Sequence, residues 1–82
     1  MTTLLLDAAR YSSPRELHAA LKSMLGLPEY YGMNADALHD CLSENRESVN
    51  LWIASCGEGD VARAVSAVCA VIRDLGGDVK EI

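Results

Sequence analysis

An α/β domain built on a three-stranded parallel sheet is the architecture this sequence predicts, and three observations carry the prediction. Short apolar runs at Thr2–Leu6, Val49–Ala54 and Asp78–Ile82 have the length and composition of strands. The intervals between them carry apolar residues at helical spacing, long enough for the crossover connections that parallel strands require. Half of the 82 residues are apolar, which argues against disorder and for one small domain over residues 1–82. Such a chain buries only a little over about 60% of its unfolded surface, so every apolar helix face has to be used. The crossovers are expected to be right-handed.

The first strand holds Leu4, Leu5 and Leu6 in succession, a pattern expected of a strand buried on both faces. Ser13-Pro14-Arg15-Glu16 is a helix start: Ser13 as N-cap, Pro14 at the first helical position and Glu16 closing a capping box. Leu17, Ala20, Leu21 and Met24 follow at i, i+3, i+4 and i+7, and Gly26 with Pro28 stops the helix. His18 lies off that stripe and reads as a solvated surface histidine. Asn34 opens a second, shorter helical pattern, and Ser43–Ser48 reads as a polar connection. In the second strand, Trp52 is the only tryptophan of the chain and reads as a packing residue. Gly57-Glu58-Gly59-Asp60 then turns into a long helix with Val61, Val65, Val68, Ile72 and Leu75 on its buried face, ending at Gly76-Gly77. Repeats and low-complexity segments are absent from the sequence.

Charge and cysteine content narrow the function. The formal net charge is −5, and the stretch from Gly26 to Asp60 holds seven acids against a single base, Arg46. The excess negative charge therefore belongs to the middle of the chain, which repels nucleic acid and membrane surfaces and attracts a basic partner. Three cysteines (Cys41, Cys56, Cys69) without CxxC spacing encode neither a full disulfide framework nor a zinc site, and free thiols suit the cytoplasm. The opening MTTLLLD lacks a basic n-region, and its apolar run is too short for a signal or a membrane span.

The most informative stretch is Leu27 to Ser43, LPEYYGMNADALHDCLS. Wound as a helix from Asn34, it places Leu38, Cys41 and Leu42 on one stripe and Asp36, Asp40 and Ser43 on the other side. Asn34 is a good N-cap, and Asp36 sits at the positive end of the helix dipole. Asp40 has no such local reason, because a second carboxylate at i+4 repels the first by roughly 0.2–0.5 kcal/mol and Asp is a poor helix-interior residue. A broken local rule without structural gain points to function.

This stretch resembles the central segment of the barstar family, intracellular inhibitors of small secreted microbial ribonucleases. The resemblance runs through LPEYYG, then Asn34, Asp36-Ala37-Leu38 and Asp40-Cys41-Leu42, with weaker similarity over most of the chain. It implies a small barstar-like domain, a three-stranded parallel sheet packed against three or four helices, and no enzymatic activity or cofactor. It also implies a partner-binding surface of Tyr30, Tyr31, Gly32, Asn34, Asp36, His39, Asp40 and Ser43. In that surface Tyr30 packs on the enzyme's catalytic histidine, Asp36 pairs with an enzyme arginine and Asp40 enters the phosphate subsite. Gly32 and Asn34 offer backbone contacts, and Ser43 takes the place of a threonine at the rim. His39 and Asn45 stand where the family's best-known member has tryptophans, Met33 replaces a glutamate, and the final helix near Val71–Asp74 offers no match for an interface glutamate.

Other chemistries fare worse on the residues themselves. Gly57 and Gly59 lack the third glycine and the Gly-Lys-Ser/Thr of a phosphate loop, and Glu58 and Asp60 would repel a phosphate. Asp36, His39 and Asp40 lack the further ligand and the cleft that a hydrolytic metal wants. No nucleophile with a paired base stands out. A merely solvated acidic helix face would incur the like-charge repulsion for nothing. The reading carried forward is a protein-binding surface of rigid tyrosines beside carboxylates, aimed at a basic concave site, and the resemblance implies that the target is a basic, extracellular-type microbial ribonuclease of guanyl specificity. The chain is expected to be cytoplasmic and a monomer when free, with no nucleic-acid or membrane partner. The alternative is a barstar-fold acidic adaptor that binds another basic protein without inhibiting a ribonuclease.

Overall fold

The computed structural model describes residues 2–45 and 48–82, so Arg46, Glu47 and the Asn45 side chain, and with them part of the expected Ser43–Ser48 connection, lie outside the described residues. Strand β1 (Thr2–Asp7) leads through a 3-10 turn (Ala8–Arg10) to helix α1 (Pro14–Leu25) and helix α2 (Ala35–Asn45). Strand β2 (Val49–Ser55), helix α3 (Gly59–Asp74) and strand β3 (Val79–Glu81) complete the chain. The sheet order is β1-β2-β3 and both pairings are parallel, with Leu4 opposite Leu51 and Leu51 opposite Val79. This is the predicted α/β architecture, with three α-helices. Among the described residues no helix is long and apolar enough to cross a membrane.

Strand order explains what the strands bury. Right-handed crossovers that always advance in the same direction across a sheet place every connecting helix on the same side. The strands accordingly alternate: Leu4 and Leu6 are buried while Leu5 between them is 62% exposed. In β2, Leu51 and Ile53 are buried while Trp52 is 44% exposed. The expectation of a first strand buried on both faces is therefore corrected, and Trp52, read as a packing residue, is only partly covered. Trp52 lies on the open face, where the Lys80 ammonium stands 5.8 Å from its ring centroid.

Helix α1 starts as the sequence suggests, the Ser13 hydroxyl accepting a hydrogen bond from the Glu16 amide at 3.2 Å. The reciprocal half of the capping box gives way to another contact, since the Glu16 carboxylate accepts from the Ser12 hydroxyl. Gly26, in the left-handed region at φ 63°, ends the helix. Its buried side differs from the predicted stripe: Leu17 and Leu21 are fully buried, Met24 is exposed, and His18 is buried. Helix α3 buries Val61, Val65, Val68 and Ile72 as predicted, with Leu75 partly buried against the same core.

The turn from α3 into β3 is held by a close approach. The Gly77 amide donates to the Ile72 carbonyl at 2.9 Å, and a Cβ on Gly77 would overlap the Val49 carbonyl oxygen and press on Ile72 Cγ2 at 2.8 Å. At neighbouring Gly76 (φ 87°) a Cβ would meet open space. Gly77→Ala is therefore expected to destabilise by about 2–3 kcal/mol through backbone displacement, and Gly76→Ala by about 1–2 kcal/mol through left-handed strain alone. Urea unfolding midpoints of the two variants check the order.

Candidate functional site

The connection between α1 and α2 is a short, tightly bonded loop. Leu27 is buried, and the Tyr31 amide donates to the Pro28 carbonyl at 3.0 Å, closing a turn that carries Glu29 and Tyr30 at its tip. The turn sends two consecutive tyrosines in opposite directions: Tyr30 is 75% exposed and Tyr31 is 5% exposed. Lys22 near the end of α1 reaches the Glu29 carboxylate at 3.2 Å. Met33 follows in the left-handed region at φ 57°, a conformation that costs a non-glycine residue about 1–2 kcal/mol. It reverses the chain into α2.

Asn34 caps that helix with both ends of its side chain. Its Oδ1 accepts from the Ala37 amide at 2.8 Å, and its Nδ2 donates to the Gly32 carbonyl at 3.1 Å. Gly32 is close-packed here, since a Cβ on it would lie 3.2 Å from that of Ala37. In α2 itself Leu38, Cys41 and Leu42 are buried, and Asp36, Asp40 and Ser43 are exposed, the two-faced arrangement read from the sequence.

Asp36 and Asp40 form no hydrogen bond or ion pair among the described residues, so two carboxylates stand one helical turn apart with their acceptor capacity unused. Tyr30, Gly32, Asp40 and Glu44 border one shallow cleft of about 230 Å³. Tyr30 and Glu44 also border a second, of about 210 Å³, with Gly26 and Pro28. Tyr30 is thus a ridge between two clefts with acids along one wall. The Cys41 thiol lines the floor of both, and burial, then the Glu44 and Asp40 carboxylates, push its pKa up. All three cysteines are free thiols.

The remaining expected site residue, His39, turns toward the last helix: its Nε2 lies 2.9 Å from Asp74 Oδ2 of α3. Asp74 had no sequence signal for a role here, because its partner is 35 residues away in the chain. Asp36, His39 and Asp40 do not form a metal cage, and among the described residues no group of three or more His, Cys, Asp or Glu side chains could hold a metal ion. A larger cleft, about 400 Å³, is lined by residues that include Tyr11, Ser12, Ser55 and Glu58 and by none of the α2 acids.

His18, expected to be a solvated surface histidine, is buried instead. It is 4% exposed, and its Nδ1 lies 2.6 Å from the Tyr31 hydroxyl, which in turn reaches the Asn34 carbonyl at 3.4 Å. The chain of bonds closes with the imidazole proton on Nδ1, donated to the Tyr31 oxygen, and the Tyr31 proton donated to Asn34. The signal was present: His18, Leu21 and Leu25 are spaced i, i+3, i+7, a stripe beside the one led by Leu17. Burial lowers the His18 pKa below its usual 6.5. Burial, with a smaller contribution from Cys41, pushes the Tyr31 hydroxyl up to about 12.

These shifts fix the sign of the pH dependence. A histidine kept neutral by the fold stabilises it fully above pH about 6.5, and the contribution is lost as pH falls below that value toward the lowered folded-state pKa. A tyrosine kept protonated stabilises it below pH about 10, and that contribution is lost between there and about 12. The thermal midpoint should therefore fall on both sides of this window. His18→Phe should flatten the acid limb, and Tyr31→Phe should flatten the alkaline limb while costing about 1–3 kcal/mol at neutral pH by leaving His18 Nδ1 unpartnered. Thermal melts of the three proteins across pH check this.

Comparison with known proteins bears on the whole chain. A family model described as "Barstar (barnase inhibitor)" matches residues 1–81. A Bacillus subtilis (strain 168) protein named "Putative ribonuclease inhibitor YrdF" is 42% identical over 43 residues, 52% of this chain and 47% of that protein. The matched stretch thus spans about half the length of that relative.

Proposed function

The chain belongs to the barstar family, and on that premise we propose that it is an intracellular protein inhibitor of a small secreted ribonuclease of the guanyl-specific microbial kind. The observation that carries this reading is the pair of unpartnered carboxylates, Asp36 and Asp40, on one exposed face of α2 beside the exposed ring of Tyr30. A ribonuclease active site is built from cations that bind phosphate. A carboxylate that enters it takes the place of a substrate phosphate and accepts the same charge-assisted hydrogen bonds. Inhibition then needs no chemistry, only occupancy.

The roles divide by position. Asp40 sits past the first turn of α2 and borders the same cleft as Tyr30, which suits it to the phosphate subsite with the tyrosine ring on the neighbouring enzyme surface. Asp36 lies in the first turn, where the helix dipole favours it, and pairs with a cation at the side of the active site. Tyr31, Gly32 and Asn34 hold the loop and present its backbone. Ser43 is at the rim, and His39, paired with Asp74, joins the surface from the α3 side.

Two outcomes test the reading. Purified protein should abolish the activity of a basic microbial ribonuclease at one-to-one stoichiometry, and the association rate should fall steeply as salt rises, because the encounter is steered by the acidic middle of the chain. Binding without loss of activity would make the protein an adaptor. Among variants, Asp40→Ala should leave the thermal midpoint unchanged or slightly raised, by relief of the Asp36 repulsion, yet weaken inhibition by at least 100-fold by leaving enzyme cations buried and unpaired. Asp36→Ala should cost about 0.3–1 kcal/mol of stability and less inhibition, and Asp78→Ala neither. Full inhibition by Asp40→Ala would remove it from the phosphate subsite.

A further inference from the structure

A cleft of about 280 Å³ lies between α3 and the ends of β2 and β3, apart from the acidic helix. That volume is at the small end of ligand pockets. Ile53, Val65 and Val79 give the cleft an apolar lining, and Arg73 of α3 and Glu81 of β3 border it with opposite charges. The two form no ion pair, with each other or with any other group, among the described residues. Two of the three thiols line the same cleft. Cys56, partly buried just past β2, directs its S–H to the Glu81 carboxylate at 3.9 Å. Cys69 is 7% exposed and makes no hydrogen bond to another described residue.

We infer that this cleft is a thiol-modification site, where Cys56 takes up one half of a low-molecular-weight disulfide derived from an α-amino-acid thiol. The unpaired charges select that class. The carboxylate of such a reagent accepts charge-assisted hydrogen bonds from the Arg73 guanidinium, and its ammonium donates to the Glu81 carboxylate beside Cys56. Cys56 gives up its proton to solvent, and the thiolate attacks one sulfur of the reagent. The reagent's S–S bond breaks as the new S–S bond forms, and the other half leaves as a thiolate that takes up a proton. Cys56 is oxidised and the departing half is reduced, so the exchange balances without a further oxidant. A reagent with only one of the two charges leaves either Arg73 or Glu81 without its partner.

Access and charge single out Cys56 among the thiols. Cys69 is buried, and burial is the largest of the influences that push its pKa up, so it forms part of the wall. Cys41 lies beside Glu44 and Asp40, carboxylates that oppose its thiolate and repel the carboxylate of the reagent. None of the residues that line the cleft belongs to α2, so the inference does not rest on the reading of the protein as an inhibitor. Asp36, Asp40 and Tyr30 stay free when Cys56 is modified.

Mass spectrometry of the folded protein after exposure to three disulfides tests this: cystine, cystamine, which lacks the carboxylate, and dithiodiglycolate, which lacks the ammonium. Each rate is divided by that of an unstructured peptide with a single cysteine, which removes the intrinsic reactivity of the reagent. Cystine should give one cysteinyl adduct, on Cys56, with Cys41 and Cys69 unmodified. Its normalised rate should exceed that of either analogue by about three- to tenfold, the contribution of one charge-assisted contact at a partly exposed site. Arg73→Gln should abolish the preference for cystine over cystamine, and Glu81→Gln the preference over dithiodiglycolate, with thermal melts showing that both variants are folded. Equal normalised rates for the three reagents, preferences that survive both substitutions, or first modification at Cys41 or Cys69 would overturn the proposal. So would the loss of two hydrogens in place of an adduct, which would assign the two thiols of the cleft to a bridge with each other.

Discussion

The 2.6 Å hydrogen bond between His18 and Tyr31 is the contact on which the geometry of the acidic face depends. It ties the first turns of α1 to the loop ahead of α2, and through the Asn34 carbonyl it reaches the residue that caps α2. Without it, His18 would bury an unpaired ring nitrogen, and the turn that sets Tyr30 outward would be held only by the bonds of Tyr31 to Pro28 and Asn34. The strained backbone at Met33 persists for the same reason, because bonds on both sides of it determine the path of the chain. A surface held this firmly has given up its loop entropy on folding and gives up little more on binding.

A second constraint is the one-sidedness of the sheet. With every crossover on the same side, a chain this short covers one face with three helices and leaves the other to solvent. The division separates tasks: the helical side carries the core and the carboxylates, and the bare side carries the row from Leu5 to Lys80.

What the sequence makes legible is what local physics decides. Ser13 and Asn34 are helix caps whichever way the helices pack, and the stripe of Leu38, Cys41 and Leu42 against Asp36, Asp40 and Ser43 follows from the helical period. Three features escaped because they are settled by residues distant in the chain. His18 is buried because Tyr31, 13 residues on, supplies its hydrogen bond. Leu5 and Trp52 are exposed because of the order in which strands join the sheet, which three consecutive leucines do not encode. His39 turns sideways because α3 brings Asp74 beside it.

Cys41 sits directly beneath the carboxylates, and its raised pKa has a chemical corollary. A thiol is attacked by oxidants and alkylating agents as the thiolate, and the thiolate is what burial, Glu44 and Asp40 oppose. The acids that suit this surface to a cationic partner therefore also passivate the sulfur lying under it. Cys41, though it borders both clefts, should therefore react slowly with reagents that need the thiolate.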